Sequence, residues 1–260
     1  MNLRFQQDAI RQLQGLADMD RHSLMIEGAV GCGKSYLAKQ FATMLGVSDC
    51  YTVNPTVQSI RDAIDQMYNI SDKVVLCIEN LDNGVVSASH TLLKFLEEPK
   101  SNVYIVVTCR NRYKIPDTIV SRSTVVDVAY PTPKDIQDYA ELINTITYNK
   151  LKNLDVWRAV KSLKDVDSVY KLTSEQLAYY DNIKESLSFK DAVSTTVWNM
   201  QHYKDGSETD LLFVMNFIMS VSKNKSIQRK IIECVQDLNS SRLAPHAVLT
   251  KFVFDCKYGA

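Results

Sequence analysis

The sequence predicts an α/β fold in which a mostly parallel sheet is covered by helices on both faces and continued by an all-helical region. Three observations carry that prediction. Short β-branched or apolar runs alternate with helical patterns through the first half, glycine and proline concentrate there, and the second half is nearly uninterrupted helix former. Six of the eight glycines precede residue 85 and five of the six prolines precede residue 134, whereas residues 134–244 hold one glycine, Gly206, and no proline. With 260 residues, 45% of them hydrophobic, the chain has apolar side chain enough for more than one core.

The opening "MNLRFQQDAIRQLQGL" has the apolar spacing of an amphipathic helix. After it, "SLMIEG", "CYTV", "KVVLCIE", "VYIVVTC" and "TVVDV" read as strands, and the stretches around 34–45, 56–69, 87–97 and 117–121 read as the helices between and after them. Pro131 and Pro133 mark the change to a 3.6-residue period that begins with "PTPKDIQDYAELINTI", and Pro133 suits a first helical turn. A further division is expected near 186–190 or 203–207, where "YKDGSE" reads as a loop. The segment "LLFVMNFIMSV", 211–221, is apolar on nearly all faces and must be buried, within its own domain or against another chain.

Composition narrows the function classes. Lys plus Arg and Asp plus Glu are equal at 30 each, and the balance holds on both sides of residue 133, so no basic domain or tail announces nucleic acid and any such contact would be local. No run approaches a membrane span, and the opening helix lacks the long apolar core of a leader, so a cytoplasmic protein with no membrane partner is expected. The six cysteines are scattered with no C-x-x-C pair, which favours reduced, mostly buried thiols over disulfides or a zinc site.

The strongest motif is "MIEGAVGCGKSYLAKQF", which places Gly28, Gly31 and Gly33 directly after a strand and Lys34–Ser35 at the start of a helix, in the pattern G-x-x-x-x-G-K-S. The glycines let backbone N–H groups turn inward on phosphate oxygens while the helix adds the positive end of its dipole. Lys34 is expected to reach the β and γ phosphates of ATP and Ser35 to hold Mg2+, with Cys32 a small residue within the loop. The plainer alternative, a glycine-rich turn that only joins strand to helix, does not explain Lys34–Ser35 at that spacing.

Three later stretches refine the reading: the strand "KVVLCIEN" ending at Glu79–Asn80, then "TLLKFLEEP" from Thr91 to Pro99, then "YKIPDTIVSRS" leading into "TVVDV". In order and spacing they resemble the AAA+ clamp-loader subunits of DNA polymerase III, the delta-prime and gamma/tau type of bacteria and their phage relatives. Leu92, Leu93, Lys94, Leu96, Glu97, Glu98 and Pro99 match the family's "LLK-x-LEEP", and Ile60–Arg61 match a family stretch ending in "IR". The resemblance covers about residues 3–130; past residue 134 it rests on helical character and layout. It implies an AAA+ P-loop domain with a five-stranded parallel sheet at 1–132, a helical lid at 133–188 and a C-terminal helical, collar-like oligomerisation domain at 189–260. It also implies a subunit that works with other clamp-loader subunits, opens a sliding clamp and places it on primer-template DNA. In the family, the arginine of an SRC motif reaches the γ-phosphate of a neighbouring subunit's nucleotide. Arg122 in "VSRS" occupies that position, with Ser123 in place of cysteine; an ordinary surface arginine paired to a carboxylate is the competing reading.

The chain departs from the family pattern at the strand end. The family carries Asp then Glu, the first supporting magnesium and the second orienting the hydrolytic water; here Glu79 and Asn80 stand there. Glu79 can still support magnesium, but an amide is no base near neutral pH, so Asn80 predicts nucleotide binding with weak hydrolysis at this subunit's own site. Asn80 also suits a turn, and Asp82 two residues on is the other available carboxylate, which would make a fully active motor subunit. For the γ-phosphate-contacting position of the next strand, "VVTCRN" offers Thr108, Cys109, Arg110 and Asn111, with the slot falling at Cys109 or Arg110. Arg158 in "LDVWRAV" is a lid arginine or a surface charge, and Arg61, Arg110, Arg112 and Lys114 are candidates for local DNA contact. A different AAA+ machine, such as a Holliday-junction motor, helicase loader or transposition regulator, is the remaining class, and the pairing of "LLKFLEEP" with "IPDTIVSRS" argues against it.

Overall fold

The computed structural model describes residues 4–47, 50–174, 177–178, 180–181, 208–239 and 244–258, which fall into two compact units, Met1–Asp135 and Ile136–Ala260. In the first, five strands, β1 (Ser23–Glu27), β2 (Cys50–Val53), β3 (Val74–Ile78), β4 (Val103–Cys109) and β5 (Thr124–Asp127), form one sheet in the order β2-β3-β4-β1-β5. Every pairing is parallel. The helices are α1 (Gln7–Asp18), α2 (Lys34–Met44), α3 (Val57–Asn69), α4 (Val86–Glu97) and the short α5 (Asp117–Val120).

Period-two side-chain alternation explains why β3 is apolar throughout and β4 nearly so, Thr108 being the exception: helices cover both of their faces. Tyr104 and Val106 of β4 pack with Leu13, Leu37 and Phe41 on the α1/α2 face, while Ile105 and Val107 pack with Ile60, Met67, Leu92 and Phe95 on the α3/α4 face. All residues of β3 and β4 are buried, whereas the edge strand β2 has none. The phosphate loop and the Glu79–Asn80 turn leave the carboxyl ends of β1 and β3, the strands that flank the wholly buried β4, at the edge where open parallel sheets bind ligands.

The second unit is helical. It contains most of α6 (Pro133–Ile143), α7 (Thr145–Leu151), a 3-10 turn at Asp155–Ala159, α8 (Leu163–Tyr170), α9 (Glu208–Val221), α10 (Lys225–Asn239) and α11 (Pro245–Tyr258). A capping box opens α8: Ser162 Oγ accepts the Asp165 N–H at 3.3 Å and the Asp165 carboxylate accepts the Ser162 N–H at 2.8 Å. The run at 211–221 lies in α9 with no exposed residue, and Val214, Phe217 and Ile218 pack with Val156, Val166, Val248 and Phe252 in the unit's own core. The Tyr180 ring meets those of Phe213 and Phe217 edge-on at 5.8 and 4.9 Å. The expected division near 186–190 or 203–207 lies outside the described residues. Among the described residues, Cys32, Cys50, Cys77 and Cys109 are free thiols, and no helix is long and apolar enough to cross a membrane.

Candidate functional site

The loop after β1 begins against β4, where the Gly28 N–H donates to Cys109 O at 3.1 Å. A Cβ on Gly28 would lie 2.8 Å from Cys32 Sγ and 3.0 Å from Val128 Cβ, so the close approach of β1's end requires glycine. Gly31 and Gly33 turn the chain with φ of 73° and 90°, in the left-handed region that glycine enters without penalty. Gly33 is also the N-cap of α2 and no side chain caps it, leaving the helix's first N–H groups and its positive dipole end for an anion.

Lys34 is buried and its Nζ donates to Gly28 O and Ala29 O, both at 2.8 Å, so its side chain folds back along the loop. Burial lowers its proton affinity; the neighbouring Cys32 and Asp82 oppose that effect and Arg110 adds to it. Ser35 is exposed on the first turn of α2, and Cys32 is wholly buried with its thiol pKa pushed up by that burial.

Gln6, which no sequence motif singled out, completes the loop from below. It is 1% exposed, its Nε2 donates to Cys32 O at 2.7 Å, and a Cβ on Gly33 would lie 2.3 Å from that same nitrogen. Its Oε1 is buried without a hydrogen-bond partner.

At the end of β3 the chain divides its attention between two neighbours. The Glu79 N–H donates to Val53 O of β2 at 3.1 Å, and the Asn80 N–H donates to Thr108 Oγ1 of β4 at 2.9 Å. Asn80 has φ 51° and ψ 51°, a left-handed conformation that asparagine tolerates better than most residues, so its identity has a backbone reason. It opens the 3-10 turn Leu81–Asn83, anchored by the buried Leu81, on which Asp82 sits half-buried. Asp82 Oδ1 and Arg110 Nε are both buried without hydrogen-bond partners, and both charges act on Lys34. The Cys109 thiol between these elements is pushed up to about 12, first by burial and then by the Glu27 and Asp82 carboxylates.

A second group of charges lies on α5 and the turn after β4. Arg122 follows α5, with Nη2 paired to Glu97 Oε1 at 2.7 Å and Nη1 donating to Thr118 O at 2.9 Å; its side chain is 36% exposed. The two family-like stretches, 91–99 and 113–123, thus meet through Glu97 and Arg122. Ser123 Oγ donates to Ile119 O at 3.1 Å and bonds Ser23 Oγ at 3.2 Å, so the serine is used locally. Arg112 is committed to structure: its Nε pairs with Glu27, its Nη2 with Asp127 at 2.6 Å, and its N–H donates to Glu27 Oε1 at 2.9 Å. Arg61 and Lys114 are exposed, and Arg158, in the second unit, pairs with Asp155 at 3.0 Å and is 60% exposed.

These residues fit a magnesium-bound nucleoside polyphosphate. The loop offers backbone donors and a lysine, Ser35 and Glu79 supply hard oxygen ligands, and the buried Asp82 and Arg110 atoms have no protein partner to satisfy them. Among the described residues no cluster of three or more His, Cys, Asp and Glu forms a protein-only metal site.

The comparisons with known proteins agree with this geometry. A family model described as DNA polymerase III, delta subunit matches residues 52–132, the segment from within β2 to just past β5. DNA polymerase III subunit delta' of Bacillus subtilis is 26% identical over 147 residues, 45% of this chain and 45% of that protein. An uncharacterized MG007 homolog of Mycoplasma pneumoniae is 24% identical over 69% of this chain and 66% of its own length. The match thus spans less than half the length of the first relative. Among solved structures, a DNA polymerase III gamma subunit-related protein from Thermotoga maritima superposes with a TM-score of 0.58 at 17% identity, covering 95% of this chain and 98% of that one. The replication initiator DnaA bound to AMPPCP and single-stranded DNA gives 0.53 at 12% identity over 99% and 94%. The chain is thus similar in sequence to clamp-loader subunits over part of its length, and in fold to a gamma subunit-related protein.

Proposed function

We propose that the chain is an ATP-binding subunit of a sliding-clamp loader in DNA replication, one that lends Arg122 to a neighbouring subunit and turns over its own nucleotide slowly. The observation that carries this reading is Arg122: an exposed guanidinium beside the "LLKFLEEP" helix, held by one exposed carboxylate, Glu97, and one carbonyl. Such a pair is weak and easily exchanged, so the arginine is available to a phosphate across an interface. Charge neutralisation by an arginine supplied in this way contributes ~10³–10⁵ in rate in related P-loop enzymes.

At the chain's own site, Lys34 and the α2 N-terminus bind phosphate, and Ser35 and Glu79 are the residues to hold Mg2+. Bound magnesium supplies charge neutralisation across the phosphate oxygens. Asn80 can orient a water through its amide but cannot take its proton, and a positioned base is worth about 10²–10⁴-fold, which is why slow turnover is proposed. The same reading divides the chain into the AAA+ domain 1–132, a lid at 133–188 and a collar-like domain from 189, working in the cytoplasm with sister subunits, a sliding clamp and primer-template DNA.

One observation favours a second reading, a fully active motor subunit. Asp82 carries a buried, unpartnered carboxylate oxygen whose charge reaches Lys34, so a carboxylate is present near the phosphates despite Asn80. ATP hydrolysis by the chain with its sister subunits, for wild type, Asn80→Glu and Asp82→Ala, separates the two. Slow wild-type turnover that rises in Asn80→Glu supports the first; rapid turnover that collapses in Asp82→Ala supports the second.

A further inference from the structure

The residue that immediately precedes the phosphate loop is a carboxylate, a poor neighbour for a site that takes an anion. Glu27 ends β1 and hands the chain to Gly28, and its side chain is only 16% exposed. Its backbone is fixed on both sides: the Val128 N–H donates to Glu27 O at 2.7 Å, and the Gly28 N–H donates to Cys109 O at 3.1 Å. The carboxylate is thus tethered at the entrance of the loop. Its field reaches inward, because the buried Cys109 thiol is pushed up by Glu27 and Asp82 after burial itself, and pulled the other way by Lys34 and Arg112. Cys109 in turn acts on Lys34, so Glu27 and Arg112 work with opposite signs on the surroundings of the phosphate-binding lysine.

Arg112 answers the Glu27 charge from the turn after β4. Its N–H donates to Glu27 Oε1 at 2.9 Å, and its Nε forms an ion pair with Glu27 Oε2 that lacks the alignment of a hydrogen bond. The same guanidinium reaches Asp127 Oδ1 at 2.6 Å at the end of β5. The two carboxylates are not equivalent. Asp127 is 66% exposed, so water and salt screen it, whereas Glu27 is largely withdrawn from both. A mostly buried carboxylate stripped of its partner acts on its neighbours through a poorly screened space. An anion on the adjacent loop would feel that field in proportion to its own charge.

We propose that Arg112 is a positioning residue for nucleotide binding that acts through Glu27: the pair cancels a negative charge at the entrance of the phosphate loop and leaves Lys34 and the α2 N-terminus to set the sign of the site. The inference rests on the nucleotide-binding reading and adds an electrostatic requirement to it. It needs no contact between Arg112 and the nucleotide. It also gives Arg112 a role within this chain, in contrast to the exposed Arg61 and Lys114.

Equilibrium binding of ATP and of ADP, each with magnesium, to the purified full chain tests this, by competition against a fluorescent nucleotide at low and at raised salt. Arg112→Ala is expected to weaken ATP by roughly tenfold and ADP by roughly threefold at low salt, with both ratios to wild type shrinking as salt is added. Adding Glu27→Gln to Arg112→Ala should return ATP to within about threefold of wild type, because the uncancelled charge is then gone; adding Asp127→Asn should not. Arg112→Lys, which keeps the charge, should hold most of the affinity. Melting temperatures establish that each variant is folded, and Arg112→Gln, which keeps most of the volume without the charge, carries the same test where Arg112→Ala does not fold. Wild-type affinity in Arg112→Ala overturns the inference. So does a loss that Glu27→Gln leaves in place, or a failure of both Arg112→Ala and Arg112→Gln to fold, since either makes the pair a strut and not a charge device. A wild-type chain that binds neither nucleotide overturns the nucleotide reading itself, and the inference with it.

Discussion

The phosphate-loop end of β1, β3 and β4 and the turn that carries Arg122 handle their charges in opposite ways. Around the loop, polar atoms of Gln6, Asp82 and Arg110 are buried and unpartnered; on the turn, Arg122 is exposed and partnered by Glu97 and Thr118. Unsatisfied buried groups cost stability and are rare in native cores, so their concentration here marks a place built to be completed by a ligand. A paired surface arginine costs almost nothing to hold and almost nothing to release. On the proposed function, one region receives a ligand and the other lends its charge.

Breaking the comparison at its giving end should have the largest effect. In the assembled complex, Arg122→Ala is expected to cut hydrolysis at the neighbouring site by about 10³-fold or more while leaving this chain's own nucleotide affinity unchanged, as steady-state ATPase and binding assays would show. A matching loss of the chain's own affinity would mean the two regions are one site. At the receiving end, Lys34→Ala should weaken nucleotide binding by roughly a hundredfold in the same titration, since it removes the loop's only lysine and the ties to Gly28 O and Ala29 O.

Two smaller changes sharpen the contrast through stability. Gly33→Ala places a Cβ 2.3 Å from Gln6 Nε2 at a φ of 90°, and should lower unfolding free energy by about 1–3 kcal/mol in denaturant titrations. The same substitution in a Gln6→Ala background should recover the steric part and keep the backbone part. Glu97→Gln should change stability by less than about 1 kcal/mol, because the pair it weakens is exposed on both sides. A larger loss would show that Arg122 is held as structure and is not free to leave.

The fold was legible because its signals are periodic and local. Each of the five apolar runs became a strand, with β3 and β4 buried throughout as continuous apolar runs require, and the loop's glycines stand where left-handed φ values or close approach demand them. The run at 211–221 had to be buried on composition alone, but only coordinates show that its partners include Val156, Val248 and Phe252 of the same unit. What escaped the sequence is of a different kind. Gln6 reaches the loop from 26 residues upstream, through a side chain whose polarity resembles that of its surface neighbours. Asn80 was legible both as a missing base and as a turn residue, but its left-handed φ was not, nor was its bond to Thr108, which links strands that no short motif joins. The sequence names Asp82 only as an available carboxylate and Arg110 only as a candidate for phosphate or DNA contact; that both charges act on Lys34 is set by the turn and the β4 exit.

The bond from Gln6 to Cys32 O also makes the 3-10 turn Arg4–Gln6 the floor of the phosphate loop, so a change that displaces this turn is expected to loosen the loop. Nucleotide affinity of Gln6→Ala against wild type would measure how far the floor supports the loop.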